Sequence, residues 1–185
     1  MSAQQESVKN SEEIYKKISK FVPDVEWKIH QPLIEKINKL KKEKNAIILA
    51  HNYQTPEIYH GVADIAADSL ALAVEASKTS ADKIIMCGVH FMAETADILA
   101  NRPEVFDKRG YRVSVTLPDM AAGCSMADMA GIEQVENCWA DLGEVIDTND
   151  ITPVTYINSA ASLKAFVGKH NGIVCTSSNA PAVLE

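Results

Sequence analysis

No apolar run in this sequence approaches the roughly 18 residues that a helix needs to cross a bilayer. The N-terminus, MSAQQESVKNSEE, is polar and acidic and carries no signal-peptide hydrophobic stretch. A membrane partner is not expected, and the chain reads as cytoplasmic. There is no basic stripe: 18 Lys and Arg stand against 25 Asp and Glu, a net charge of −7, which argues against nucleic acid as a partner. The one lysine cluster, Lys39, Lys41, Lys42 and Lys44, suits the C-terminal end of a solvated helix. No GxGxxG fingerprint points to a dinucleotide site. The four cysteines, Cys87, Cys124, Cys138 and Cys175, are far apart and form no CxxC pair. In a reducing compartment that spacing predicts free thiols or metal ligands, not disulfides.

What is present is a core-forming composition. Of 185 residues, 46% are hydrophobic and 23% charged, which fits one large domain or two small ones. Ile14, Ile18 and Phe21 recur at helical spacing and predict a peripheral N-terminal helix. A second helix is expected after Pro32, with Pro32 in its first turn and Leu33, Ile37 and Leu40 on one face. Apolar runs then alternate with helical stretches. Strands are expected at 46–50 (AIILA), 83–87 (KIIMC), 111–116 (YRVSVT), 153–157 (PVTYI) and 172–175 (GIVC). Helices are expected at 69–78, 94–100, 125–134 and 160–167. That order calls for an α/β fold of parallel sheets with flanking helices. The order strand, helix, strand, helix from residue 46 returns from residue 153, as in two copies of a related unit or by chance echo. The expected division is an N-terminal helical extension over 1–30, a first α/β domain over 31–117, and a loop with part of a second α/β domain over 118–185. The segment SSNAPAVLE opens a helix without a C-cap, so the chain is expected to be an N-terminal piece of a longer protein.

Unusual polar residues collect where ligands bind parallel sheets, at the carboxyl ends of the strands. They are His51–Asn52–Tyr53–Gln54 after the first strand, Gly88 to Glu94 after the second, and a cysteine loop after the third. Tyr156 and Asn158 follow the fourth, and Thr176–Ser177–Ser178–Asn179 the fifth. His51 and Tyr53 read either as a proton-transfer pair or as residues that order a loop. Ser69, after Asp68, reads either as an anion ligand at a helix start or as an ordinary cap, and Ser177, Ser178 and Asn179 present the same choice. Tyr156 and Asn158 share one face by period two or lie on the strand's exit, and Tyr156 reads either as a site group or as core. Glu94 reads either as orienting a site group or, in preference, as favouring its own helix N-terminus, and Met120, Met126 and Met129 read as core or pocket wall rather than metal ligands. Cys87 reads as a core thiol and Cys138 as structural; His30, His60, His90 and His170 read as surface or structural.

The most informative stretch is PDMAAGCSMADMA, residues 118–130. Cys124 sits at a Gly123–Cys124–Ser125 corner, and Ser125 with Asp128 three residues on approaches a capping box. A helix starting there would favour the thiolate, the form that binds metal or attacks an electrophile. Three readings follow from the residues. One is an enzyme that uses Cys124 as a metal ligand with partners elsewhere. Another is a non-catalytic α/β module that binds a small anion through Ser69 and Ser177. The third is a cysteine hydrolase with Cys124 as nucleophile and His51 as base.

Taken together, HNYQ, Asp68–Ser69–Leu70, GVHFMAET, PDMAAGCSMAD, Tyr156–Ile157–Asn158 and CTSSNA resemble quinolinate synthase, from about Trp27 to the last residue. The resemblance implies three similar α/β domains in pseudo-threefold arrangement around a central site. It implies a transferase of NAD biosynthesis that condenses iminoaspartate with dihydroxyacetone phosphate to quinolinate, with a functional link to L-aspartate oxidase. It also implies a 4Fe–4S cluster with one open iron, held by one cysteine from each domain. By this resemblance Cys124 is a cluster ligand, and the other two ligands lie outside this chain, so the chain alone is expected to be inactive. Tyr53 becomes a catalytic acid–base group and His51 a catalytic and substrate-binding one. Ser69, Tyr156, Asn158 and Ser177 become substrate-binding groups. Cys175 matches a family position that is not a ligand. Residue 67 departs from the family, with Ala where Gly is frequent.

Overall fold

The computed structural model describes residues 11–185, so the part of the expected N-terminal extension before Ser11 lies outside the described residues. The described residues form two compact units: 11–88 with 96–118, and 89–95 with 119–185. The division cuts the helix His90–Ala100.

The first unit is a four-stranded parallel sheet. Its strands are β1 (Ala46–His51), β2 (Ile65–Ala67), β3 (Lys83–Cys87) and β4 (Ser114–Thr116), in the order β2-β1-β3-β4. Parallel strands buried on both faces read as unbroken apolar runs, as 46–50 and 83–87 do. Period two then sorts each strand between two cores. Ile48 joins Ile14, Ile18, Val22, Trp27, Ile34 and Val62, with Ile85 and Cys87 packed against them. Leu49, Ile84 and Met86 point the other way and are fully buried, as are Leu72, Ala73, Ala96 and Val113. Each large apolar side chain so buried stabilises the unit by about 2 kcal/mol. The first face is covered by α1 (Ser11–Ile18), α2 (Asp24–Glu43) and α3 (Pro56–Gly61), and α4 (Ser69–Lys78) packs on β1 and β2. From β1 the chain passes through α3 to β2 on one side, then through α4 to β3 on the other. The winding direction therefore reverses between β1 and β3, where sheets of this kind open a crevice. Past α5 (His90–Ala100), the short α6 (Pro103–Arg109) precedes β4.

Several expectations need correction here. Residues 24–43 form one helix that carries Pro32 in its interior and not in its first turn. The missing Pro32 N–H is tolerated because the helix is held by its other face, through Trp27, Ile34 and Asn38. Asn38 Nδ2 donates to the Gly61 carbonyl at 2.9 Å. Lys41 Nζ donates to the Val62 carbonyl at 2.8 Å and pairs with Asp64 at 2.6 Å. Those buried polar bonds set the rotation of α2 and leave Leu33, Ile37 and Leu40 exposed. Phe21, expected on the inner stripe, is exposed too, because α1 ends at Ile18. The third strand starts at Ser114 rather than Tyr111, whose hydroxyl instead donates to the Ser80 carbonyl at 2.8 Å.

The second unit pairs β5 (Val154–Tyr156) in parallel with β6 (Ile173–Cys175) through α8 (Ala161–Lys169), followed by α9 (Ala180–Leu184). Phe91, Met92, Ile157, Leu163, Phe166, Val167 and Cys175 are among its buried residues. The expected helix over 125–134 is absent. A single 3-10 turn covers Ala127–Met129, and α7 (Ile132–Gly143) begins later. Gln134 Oε1 accepts the Gly131 N–H at 3.0 Å, so α7 starts where its third residue reaches back, not at Ser125. α7 packs on α8, with Trp139 edge-on to Phe166 at 5.6 Å. Gly172 lets β6 begin: a Cβ there would lie 2.1 Å from the Pro153 carbonyl oxygen and 2.7 Å from Val167 Cγ1.

Candidate functional site

In the first unit, strand pairing brings distant residues to one edge. His51 is the last residue of β1 and stands opposite Ala67, the last of β2. Asn52 N–H donates to the Ala67 carbonyl at 3.1 Å, so the loops leaving both strands stay together. Asp68 follows and caps α4, its Oδ1 accepting the Ala71 N–H at 2.8 Å. Ser69 is therefore the first residue of α4, with Asp68 as the cap, and its hydroxyl is half-buried beside a helix N-terminus. The His51 and Tyr53 rings lie 4.2 Å apart between centroids, and the Tyr53 N–H points at His51 Nδ1 from 3.4 Å. Nδ1 as acceptor leaves Nε2 carrying the proton of the neutral ring. Burial lowers the His51 pKa below its ordinary value, and the Asp68 charge opposes that shift. A largely neutral imidazole beside a phenol can pass or accept one proton near neutral pH.

In the second unit, Tyr156 ends β5 opposite Cys175, and its hydroxyl lies 2.6 Å from Ser177 Oγ. Asn158 is half-buried two residues on. Thr176 N–H and Oγ1 both donate to Asn179 Oδ1, at 2.7 and 3.0 Å, and Thr176 Oγ1 lies 2.9 Å from Ser178 Oγ. The TSSN segment is thus a self-bonded corner that presents Ser177 toward Tyr156.

Cys124 occupies a loop of the same unit and is half-buried. Asp119 Oδ1 accepts the Ala121 N–H at 2.8 Å, the Ala122 carbonyl accepts the His90 N–H at 3.0 Å, and the Cys124 carbonyl accepts the Asp128 N–H at 3.1 Å. The thiol precedes one 3-10 turn instead of capping an α-helix, which corrects the expected source of thiolate stabilisation. Met120, Met126 and Met129 are exposed around it, not core. Cys138 is exposed on α7, Cys175 is buried, and burial raises the Cys87 pKa. Among the described residues, no three His, Cys, Asp or Glu side chains are grouped to hold a metal ion. His170 is structural, with Nδ1 2.8 Å from the Phe166 carbonyl and its ring against Trp139.

Glu94 does not serve its own helix. Its Oε2 accepts the Ala161 N–H at 2.9 Å and so caps α8. Lys164, not singled out by sequence, lies near it, its pKa lowered by burial to about 8 while Glu94 pulls it up. The signal was available: an acid within the apolar FMAETA and a lysine between Leu163 and Phe166 are charges on core-facing stretches.

The model of the family described as quinolinate synthetase A protein (NadA) matches residues 35–185. The chain is 59% identical over 160 residues to a quinolinate synthase of Rhodopirellula baltica, a match covering 84% of this chain and 41% of that protein. It is 44% identical over 178 residues to a quinolinate synthase of Sinorhizobium medicae, covering 96% of this chain and 44% of the relative. With one of Corynebacterium glutamicum it shares 52% over 141 residues, 75% of this chain and 33% of the other. The chain thus spans less than half the length of these relatives. The family model covers most of the chain and the relatives carry the same name: the chain belongs to the quinolinate synthetase A protein family.

Proposed function

We propose that this chain supplies the first part of a quinolinate synthase, which condenses iminoaspartate with dihydroxyacetone phosphate to quinolinate, releasing phosphate and water. The observation that carries the reading is the family match together with the strand-end polar groups of both units: His51, Tyr53 and Ser69 at one edge, and Tyr156, Asn158 and Ser177 at the other. In this reading the Tyr156 and Ser177 hydroxyls and the Asn158 amide hold a substrate carboxylate. The Ser69 hydroxyl, at a helix N-terminus, holds a carboxylate or phosphate. Tyr53 donates and takes back a proton at its phenol oxygen, and His51 carries or accepts one at Nε2 during isomerisation and dehydration.

The described residues fit one ligand of a 4Fe–4S cluster. Cys124 offers a half-buried, undisulfided thiol on a loop pinned by Asp119 and His90, and the remaining ligands belong outside this chain. Such a cluster, with one iron open, supplies a Lewis acid that polarises a substrate oxygen. The same proposal includes a functional link to L-aspartate oxidase as the supplier of iminoaspartate. A cytoplasmic setting suits free thiols; among the described residues no helix is long and apolar enough to cross a membrane.

The test is a chimera in which this chain replaces the matching portion of the Rhodopirellula baltica protein. It should form quinolinate from the two substrates and lose both iron and activity in C124S. A chimera that folds, binds iron as its parent does and forms no quinolinate would refute the reading.

A further inference from the structure

The chain leaving β5 is gathered by three hydrogen bonds centred on Ser159, a buried residue. Its N–H donates to the Ile157 carbonyl at 2.9 Å, and its Oγ donates to the Tyr156 carbonyl at 2.7 Å. Its own carbonyl accepts from Lys164 Nζ. Asn158 is thereby held between two residues whose carbonyls are both engaged. The Lys164 ammonium lies 5.5 Å from the centroid of the Phe91 ring, and Glu94 is the carboxylate that acts on it. His90 Nε2 is 3.9 Å from the other Glu94 oxygen. Removing an ammonium from water is costly, and a solvent-facing lysine on α8 would avoid that cost. The fold offsets it with the Ser159 carbonyl, the face of the Phe91 ring and the charge of Glu94.

We propose that Lys164, backed by Glu94, is a positioning residue for Tyr156 and Asn158, acting through Ser159 on the turn that carries them. Glu94 serves twice, accepting the first N–H of α8 and acting as countercharge to Lys164. Lys164 acts on the Tyr156–Ser177 hydroxyl pair without touching it. The positioning stands on geometry; its bearing on a bound carboxylate rests on the functional reading above.

The experiment uses the 185-residue chain and side-chain NMR signals of Tyr156, Asn158 and Trp139. In K164M the Tyr156 and Asn158 signals are displaced and the Tyr156 hydroxyl exchanges about tenfold faster, the loss of roughly one hydrogen bond. K164R restores them toward the parent. Trp139, which packs on the opposite flank of α8 against Phe166, stays in place in each variant. A folded K164M with Tyr156 and Asn158 signals identical to the parent overturns the proposal. If K164M does not fold, S159A substitutes for it: the same displacement supports the proposal and unmoved signals overturn it. The quinolinate-forming chimera is the separate readout. Displaced Tyr156 signals in K164M, with a chimera that folds, binds iron and forms no quinolinate, support the positioning and count against the functional reading alone.

Discussion

The Tyr156 hydroxyl meets Ser177 Oγ at 2.6 Å across 21 residues of sequence. The meeting follows from the register of two short parallel strands. Tyr156 stands opposite Cys175, and the corner closed by Asn179 turns Ser177 back toward it. Y156F and S177A should each cost about 1 kcal/mol, and the double variant little more than either alone. Urea unfolding of the three variants measures this, and additive costs would show that the hydroxyls do not act as a pair.

His51 should titrate below the ordinary 6.5, because burial disfavours its charged form, and D68N should lower it further by removing the opposing carboxylate. The consequence for stability has a definite sign. Above pH 6.5 neither the folded nor the unfolded histidine holds the second proton. As pH falls through 6.5 the unfolded chain takes it up first, so this residue destabilises the fold until the folded histidine also protonates. Ring-proton NMR against pH gives the value, and H51N should flatten that part of the stability profile.

Lys164 should acylate fastest among the lysines near neutral pH, with a midpoint near 8. E94Q should move the midpoint down, since Glu94 opposes the burial effect. For stability, the depressed value acts between 10.5 and about 8: the unfolded lysine charges first as pH falls, stability drops across that window, and it levels below it. Peptide mapping after brief acylation at several pH values checks the first two statements. Equal reaction of Lys164 and Lys169 would contradict them.

G172A should destabilise the second unit by roughly 3 kcal/mol, because the new methyl overlaps the Pro153 carbonyl at the β5–β6 pairing. A shift of the urea midpoint read through Trp139 fluorescence measures it. An unchanged midpoint would mean that the two strands are not paired at this distance.

K41M should cost about 3 kcal/mol in the first unit. Lys41 and Asp64 are mostly buried, and Asp64 Oδ2 also accepts the Ile48 N–H at 2.8 Å. Removing the lysine strands that carboxylate and the Val62 carbonyl together. K41M with D64N should recover part of the loss, as thermal unfolding of the pair would show.

Strand and helix identity was legible where local chemistry alone decides it. The alanine-rich run Ser69–Lys78 and the apolar strand Lys83–Cys87 begin and end where patterning puts them. Patterning failed where distant partners decide. Pro32 reads as a helix start, yet α2 passes through it because Asn38 and Lys41 bond to the α3–β2 connection. Ser125 reads as a cap, yet Gln134 starts the helix from its third position. Glu94 reads as a local charge, yet its partner is an amide 67 residues away.

Local sequence already carries the apolar runs that must be buried, the parallel α/β class they demand, and the residue types able to bind or move protons at strand ends. Which face of α2 is inside, which carboxylate caps which helix, and that Tyr156 answers to Ser177 and Ser159 to Lys164 emerge only in the folded chain. The difference is one of range. Burial and backbone preference are written in neighbours a few positions apart. Hydrogen bonds between polar side chains and remote backbone are set by strand register and helix rotation, which are fixed only once the sheet has closed.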